Sequence, residues 1–303
     1  MPYGAWPAAS AGVGHSGHVP EGDIVWRVAH RLEAALAGRV LTLSDLRWPS
    51  LATVDLAGRE VLGVVSRGKH LLVRIEPSGA DPALTLRSHL QMEGSWQVHR
   101  TLEPWRGRGG HGVRAVLAND AWTAVGHRLG MLDLVPTAEE ARLVGHLGPD
   151  LLGADWDAGE AVRRLRAQPE RPIGEALLDQ RNLAGIGTFF MAETLFLCGA
   201  TPWTPVADVP GLPAVVALAR RLLDVSRLQG TQVTTGTLRR GRTNYVHARS
   251  GRPCLRCGMP IRVAPIGLAP EDRMAFYCPH CQRGPAPTDG GSPQRRRGAS
   301  PRL

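Results

Sequence analysis

Lysine is all but missing from this chain of 303 residues: 35 of its 36 lysine and arginine residues are arginine, and the single lysine is Lys69. A guanidinium stays protonated and cannot serve as an amine nucleophile or give up a proton, so chemistry that needs an amine side chain has one candidate. Also missing is any run of eighteen apolar residues, which excludes a helix spanning a bilayer. Residues 1–19 lack both the basic start and the apolar middle of a secretory signal, and the chain reads as cytosolic. Cysteine is scarce, with five residues, and four of them form two pairs, which in that compartment points to a metal rather than to disulfides.

What the chain has in excess is positive charge. A formal net charge of +9 and a pI near 10.3 favour a polyanionic partner, nucleic acid first, through counterion release and electrostatic steering. The length allows two domains with real cores and a third if a metal staples it.

Residues 1–19 are mostly Gly, Ala, Ser, Pro and His without periodicity and read as a disordered extension. From Asp23 the pattern changes: Ile24, Val28, Leu32 and Leu36 recur every four residues, with Asp23 as a plausible N-cap and Gly38 as a stop. Strand-like runs follow at 39–48, 59–66, 70–76, 84–98 and 113–127, the last with Asn119-Asp120 as a turn, and together they predict an antiparallel sandwich over 20–135. Helical patterns at 137–147, 157–167, 172–180, 188–198 and 212–228 predict a helical domain over 136–245. Inside it, Gly185 and Gly187 separate two helices, and free N–H groups at the start of the second would suit a phosphate.

The two cysteine pairs are the strongest signal read from spacing alone. Cys254-x2-Cys257 and Cys278-x2-Cys281 supply four soft ligands for a tetrahedral Zn2+, and a segment as short as 250–283 cannot build a core without it. His247 and His280 lie near but are not needed as ligands, and Cys198 reads as a core thiol. The tail 284–303 is Pro and Gly rich, ends basic, and reads as disordered.

With these pieces in order, residues 20–283 resemble the formamidopyrimidine-DNA glycosylase and endonuclease VIII family of base-excision repair enzymes. Four separated motifs carry the resemblance: "PEGD" before the first helix, "RGK" at a hairpin, "LLDQRNLAGIG" as a helix-two-turn-helix, and "RMAFYCPHC" as a finger arginine ahead of the last cysteine pair. The fold class implied is α+β and multidomain, with an N-terminal helix and antiparallel β-sandwich, a helix-two-turn-helix domain and a β-hairpin zinc finger.

The resemblance implies a catalytic set of Pro20, Glu21, Lys69 and Arg273. Pro20 would attack C1′ of a damaged nucleotide as a secondary amine, provided it is the mature N-terminus, since inside a chain its nitrogen is an amide without a free lone pair. The native protein is therefore expected to start at Val19, removed after initiation. Glu21 would protonate the opening sugar, Lys69 assist elimination, and Arg273 grip the flanking phosphate. Gln91, Met92 and Glu93 in "HLQMEG" would fill the void left by a flipped base, with a core position on an alternating strand as the other reading of Met92. Gly187 and Thr188 would contact DNA, although Thr188 stands where the family usually has Asn and lacks an amide's second donor.

The implied activity is excision of oxidised bases followed by β,δ-elimination, by a monomer that is cytoplasmic and nucleoid-associated and whose partner is damaged DNA rather than a membrane. The short connection from Gly230 to Cys254, "VWR" and the "QM" wedge favour oxidised pyrimidines. The rival readings are an oxidised-purine glycosylase and, if residues 1–19 are retained, an inactive damaged-DNA-binding protein.

Overall fold

In the computed structural model, residues 20–105 and 109–287 are described; the expectations for 1–19 and for 288–303 lie outside them. Helix α1 (Gly22–Leu36) turns Val25, Val28, Leu32 and Leu36 inward and ends at Gly38, whose φ of +70° suits a residue without Cβ. Its N-cap is Glu21, and no side chain caps it. Asp23 is thus not the cap: it lies within the first turn, fully buried, where Ser226 Oγ (2.6 Å) and Gln232 Nε2 (3.3 Å) donate to its carboxylate.

Two antiparallel sheets follow. One has the order β1 (Arg39–Val40), β3 (Glu60–Arg67), β4 (His70–Ile75), β5 (Leu84–His89), β9 (Met131–Pro136); the other runs β2 (Leu43–Leu46), β7 (Val113–Ala118), β8 (Trp122–His127), β6 (Ser95–Arg100). The run 39–48, read as one strand, is two strands that belong to different sheets, and the run 84–98 breaks at Leu90–Gly94. Strand β9, which no separate run announced, closes the edge of the first sheet against β5.

Leu71, Val73 and Leu86 from one sheet meet Trp96, Ala115 and Leu117 from the other in a core that also buries α1. Trp96 Nε1 donates to Ser88 Oγ (3.1 Å), a buried bond between the layers. Asn119 makes the β7–β8 turn by accepting from the N–H groups of Ala121 and Trp122, and its amide donates to Ala35 O (2.9 Å), tying the turn to α1.

Helices α2 (Glu140–Val144), α3 (Ala158–Arg166), α4 (Ile173–Leu178), α5 (Thr188–Cys198) and α6 (Leu212–Gln229) form the second half. Helix α5 is largely apolar on every side, as a helix buried nearly all round should be, and Glu193 is its one charged residue. Phe190, Met191 and Leu195 pack into the helical core, while Ala192 and Phe196 pack against Val246, Ile261, Val263 and Phe276 of the C-terminal hairpin β10 (Arg262–Ile266) and β11 (Arg273–Tyr277) with its flanking loop. Cys198, at the end of α5, is exposed and not a core thiol, because the helix emerges to the surface in its last turn. No helix of the described residues is long and apolar enough to cross a membrane.

Candidate active site and metal centre

The two halves meet where α1 and α5 begin. Gly22 N–H donates to Gly185 O (2.8 Å), and a Cβ on Gly22 would stand 3.0 Å from Gly185 Cα, so the close approach needs a glycine. This contact carries Glu21 to the start of α5, where its carboxylate accepts from the N–H groups of Gly187 (2.7 Å), Phe189 (2.7 Å) and Phe190 (3.3 Å).

The anion seat expected for a phosphate is therefore filled by the chain's own carboxylate. The N–H groups at the start of a helix are unsatisfied and attract negative charge, and a buried carboxylate three bonds deep meets that need within the fold. Gly187 contributes space instead of a free donor: a Cβ there would lie 2.6 Å from the Glu21 carboxyl carbon and 2.8 Å from Lys69 Nζ. Both charged groups thus converge on one glycine.

Lys69 reaches this point from the β3–β4 hairpin. Arg67 pairs with His70, leaving Gly68-Lys69 as a two-residue turn whose first position has φ +58°, the place where a II′ turn requires glycine. The hairpin is held against the helical half by Gly68 N–H to Asp150 Oδ2 (2.7 Å) and by Arg67 to Asp155 (2.8 Å). Asp150 was not legible as a site residue; nothing in "GPDLL" marks a carboxylate that aims a lysine across the domain junction.

Burial dominates the electrostatics. Glu21, with no exposed surface, is pushed up to about 7, mainly by desolvation, while the Lys69 charge and the helix N–H groups act against the rise. Burial lowers Lys69 from the usual ammonium range, Glu21 opposes this, and the Arg273 guanidinium reinforces it. Arg273, the first residue of β11, is exposed, and its Nη1 donates to Glu271 O (2.8 Å) and Asp272 O (3.1 Å). Pro20 directly precedes Glu21 and is half-buried. Of the sequence candidates, Pro20, Glu21, Lys69, Gly187 and Arg273 are gathered here, and Thr188 opens α5 beside them, half-buried and with its hydroxyl unpartnered among the described residues.

The other candidates sit on the β5–β6 turn. Met92 is 68% exposed and is not a core methionine. Gln91 adopts φ +51°, its N–H donates to His89 Nδ1 (2.9 Å), and its amide lies across Gly130, donating to Gly130 O (3.4 Å). Glu93 accepts from Arg128 (3.1 Å). His89 and Arg128 escaped the sequence reading because their roles depend on a turn conformation and on the neighbouring β8–β9 turn.

The four cysteine Sγ atoms all lie within 4.8 Å of one another, with Cys254 to Cys281 at 3.9 Å and Cys257 to Cys278 at 3.5 Å. A tetrahedron of thiolates about 2.3 Å from a metal has edges of about 3.8 Å, so the set fits a single ion and is far too open for disulfides. Cys254 and Cys278 are buried, and the cluster closes the β10–β11 hairpin onto α5.

Comparison with known proteins agrees with this arrangement. Residues 19–130 match the formamidopyrimidine-DNA glycosylase N-terminal domain. The chain is 52% identical to "Probable endonuclease 8 2" of Streptomyces coelicolor over 94% of this chain and 100% of that protein. It is 40% identical to "DNA-(apurinic or apyrimidinic site) lyase Nei2" of Mycolicibacterium smegmatis over 87% of this chain and 99% of that protein. The solved Lactococcus lactis Fpg (MutM), in complex with N7-benzyl-Fapy-dG DNA, shares the fold with a TM-score of 0.69 at 23% identity, covering 88% of this chain and 100% of that one.

Proposed function

The chain belongs to the formamidopyrimidine-DNA glycosylase and endonuclease VIII family, on its endonuclease VIII side, and we propose from this premise how its residues remove oxidised bases from DNA and cut the strand. It is a bifunctional DNA glycosylase and AP lyase. The observation that supports the residue roles is the convergence of Glu21 and Lys69 on Gly187, next to Pro20 and within the field of Arg273.

In this reading Pro20 acts as a free α-amine. Its nitrogen forms a bond to C1′ as the bond from C1′ to the base breaks and the base leaves with a proton. An α-amino group titrates near pH 8, so part of the population is nucleophilic at neutral pH. Glu21, titrating near 7, can give a proton to the opening sugar oxygen and take one back, as a general acid tuned to its working pH does. Lys69 assists the first elimination and Arg273 the second, leaving phosphates on both sides of the gap. The metal is zinc, held by Cys254, Cys257, Cys278 and Cys281, and it serves the fold by fixing the hairpin that carries Arg273. Thr188, Gln91, Met92 and Glu93 contact DNA, the last three as the wedge at the vacated position.

The favoured lesions are oxidised pyrimidines, since the segment after α6 carries no helix or strand and is short for a cover over a purine. The test is borohydride trapping on a duplex containing 5-hydroxyuracil. Protein whose N-terminus is Pro20 is expected to form a covalent adduct and to leave β,δ-elimination ends. Absence of an adduct from that form would support a binding-only protein, and faster incision of 8-oxoguanine duplexes would support the purine reading.

A further inference from the structure

Asp23 is a buried carboxylate to which the reaction above gives no task. Gly22 alone separates it from Glu21, and neither acidic side chain has exposed surface. Their donors come from different elements. Glu21 takes the N–H groups at the start of α5, whereas Asp23 Oδ2 accepts from Ser226 Oγ in the last turn of α6 (2.6 Å) and Oδ1 from Gln232 Nε2 just beyond that helix (3.3 Å). With Gly22 N–H on Gly185 O, the first turn of α1 is clamped from both sides.

The hydroxyl of Ser226 has one hydrogen to give. Its other acceptor, Thr231 O, is 3.4 Å away, longer than an ordinary O–H···O bond, while 2.6 Å is the length of a bond from a hydroxyl to an ionised carboxylate. The geometry therefore describes an ionised Asp23. Charged groups face the pair from several elements. On α1, Arg27 lies one turn on, with its Nη1 donating to Ser226 O (3.5 Å). The β3–β4 hairpin brings Lys69, which feels both carboxylates, and β11 brings Arg273, which acts on Lys69. Arg227 of α6 is paired with Asp224 (2.6 Å), Asp150 is held by the N–H groups of Gly68 and Leu152, and the first turn of α5 has no charged side chain.

We infer that Asp23 is a positioning residue for Glu21: it stays ionised in the first turn of α1, and its fixed charge makes Glu21 the member of the pair that keeps the proton. Two carboxyl groups share one lysine in a buried site, and like charges so placed do not both ionise. The division follows from the donors. Asp23 has a hydroxyl, an amide and the Arg27 guanidinium on its side, and these work against the rise that burial imposes on it. At Glu21 burial is the main cause of the rise, Lys69 opposes it, and the Asp23 charge adds to it. That the retained proton goes to the sugar rests on the glycosylase reading above; the pairing itself does not.

The test is a carbon-13 NMR titration of the Glu21 carboxyl in protein that begins at Pro20, with the signal assigned by its loss in Glu21→Gln. Wild type should titrate near 7. Asp23→Asn keeps the size of the side chain and removes its charge, and the midpoint should fall by about one pH unit. Ser226→Ala keeps both carboxyl groups and removes the best donor to Asp23, so it should move the midpoint the same way by less. A midpoint that stays within about 0.3 unit of wild type in both variants, or that rises, would overturn the pairing. Single-turnover excision from a 5-hydroxyuracil duplex gives the second readout: Asp23→Asn should stay within about twofold of wild type at pH 6 and lose about tenfold at pH 8. Equal losses at the two pH values would reduce Asp23 to a structural clamp and overturn the inference. A midpoint that moves while the excision profile does not would leave the pairing standing and remove Glu21 from its role as the acid in the glycosylase reading.

Discussion

Two glutamates are buried along α5 in nearly the same manner. Glu21 sits at the first turn with three backbone N–H donors; Glu193 sits in the middle of the helix and accepts from the N–H groups of Tyr245 (2.7 Å), Val246 (2.8 Å) and His247 (2.9 Å), with Thr234 Oγ1 as a fourth. Neither has exposed surface, and burial raises both. They differ in their company. Glu193 is surrounded by backbone it orders, while Glu21 shares Gly187 with the only lysine in the chain and follows Pro20 directly. A saturated buried carboxylate is thus a structural device, and in the proposed reaction it becomes a chemical one because a titratable partner and the Pro20 amine stand beside it.

The sharpest break between the two is Glu21→Gln. Removing the proton donor should lower base excision by about 10³-fold, within the range general acid–base catalysis supplies, and circular dichroism should show a folded protein. Single-turnover rates on a 5-hydroxyuracil duplex measure it; a loss below about tenfold would return Glu21 to the structural class. The same change at Glu193 should act through stability. An amide NH2 facing three backbone donors leaves at least one of them unsatisfied, and we expect a destabilisation of about 3 kcal/mol by urea unfolding, with activity falling only as the folded fraction falls.

The contrast was only half legible in the sequence. The amphipathic pattern of α1, the glycines about 185–187 and the paired cysteines each reflect a local rule, so helix, turn and metal site could be read directly. What α5 does with Glu21 could not. The N–H groups of a helix start predict that an anion will come, and nothing local says whether it is a DNA phosphate or a carboxylate 166 residues away in the same chain. Asp23 misled for the same reason, since a carboxylate before an apolar run suits a cap and here binds Ser226, 203 residues distant. The turn proposed as the wedge was picked out by its motif, but its bracing by His89, Gly130 and Arg128 is tertiary.

The pH dependence of stability sharpens the comparison further. Glu21 binds its proton more tightly in the folded state, near 7 against 4.5, so its favourable contribution is complete below pH 4.5 and is lost as pH rises through 7. Between those limits wild type should lose up to about 3 kcal/mol relative to Glu21→Gln, which lacks the titration. Urea midpoints of both proteins at pH 5 and pH 8 give the difference, and a constant offset would mean that Glu21 is ionised throughout.

The smallest effect belongs to a residue that touches neither glutamate. Met92 stands 68% exposed at the tip of the β5–β6 turn, so its truncation removes little buried surface, and Met92→Ala should leave the unfolding midpoint within about 0.5 kcal/mol of wild type. In the proposed reaction its apolar body gains a partner only when a base leaves the duplex and the stack must be closed. Excision from duplex DNA should then fall by about tenfold, close to 1.4 kcal/mol, while excision of the same lesion from a single strand, which has no stack to fill, should hold near the wild-type rate. An equal fall on both substrates would place Met92 in general DNA binding, and the void would have to be filled by Gln91, whose N–H is held by the His89 imidazole.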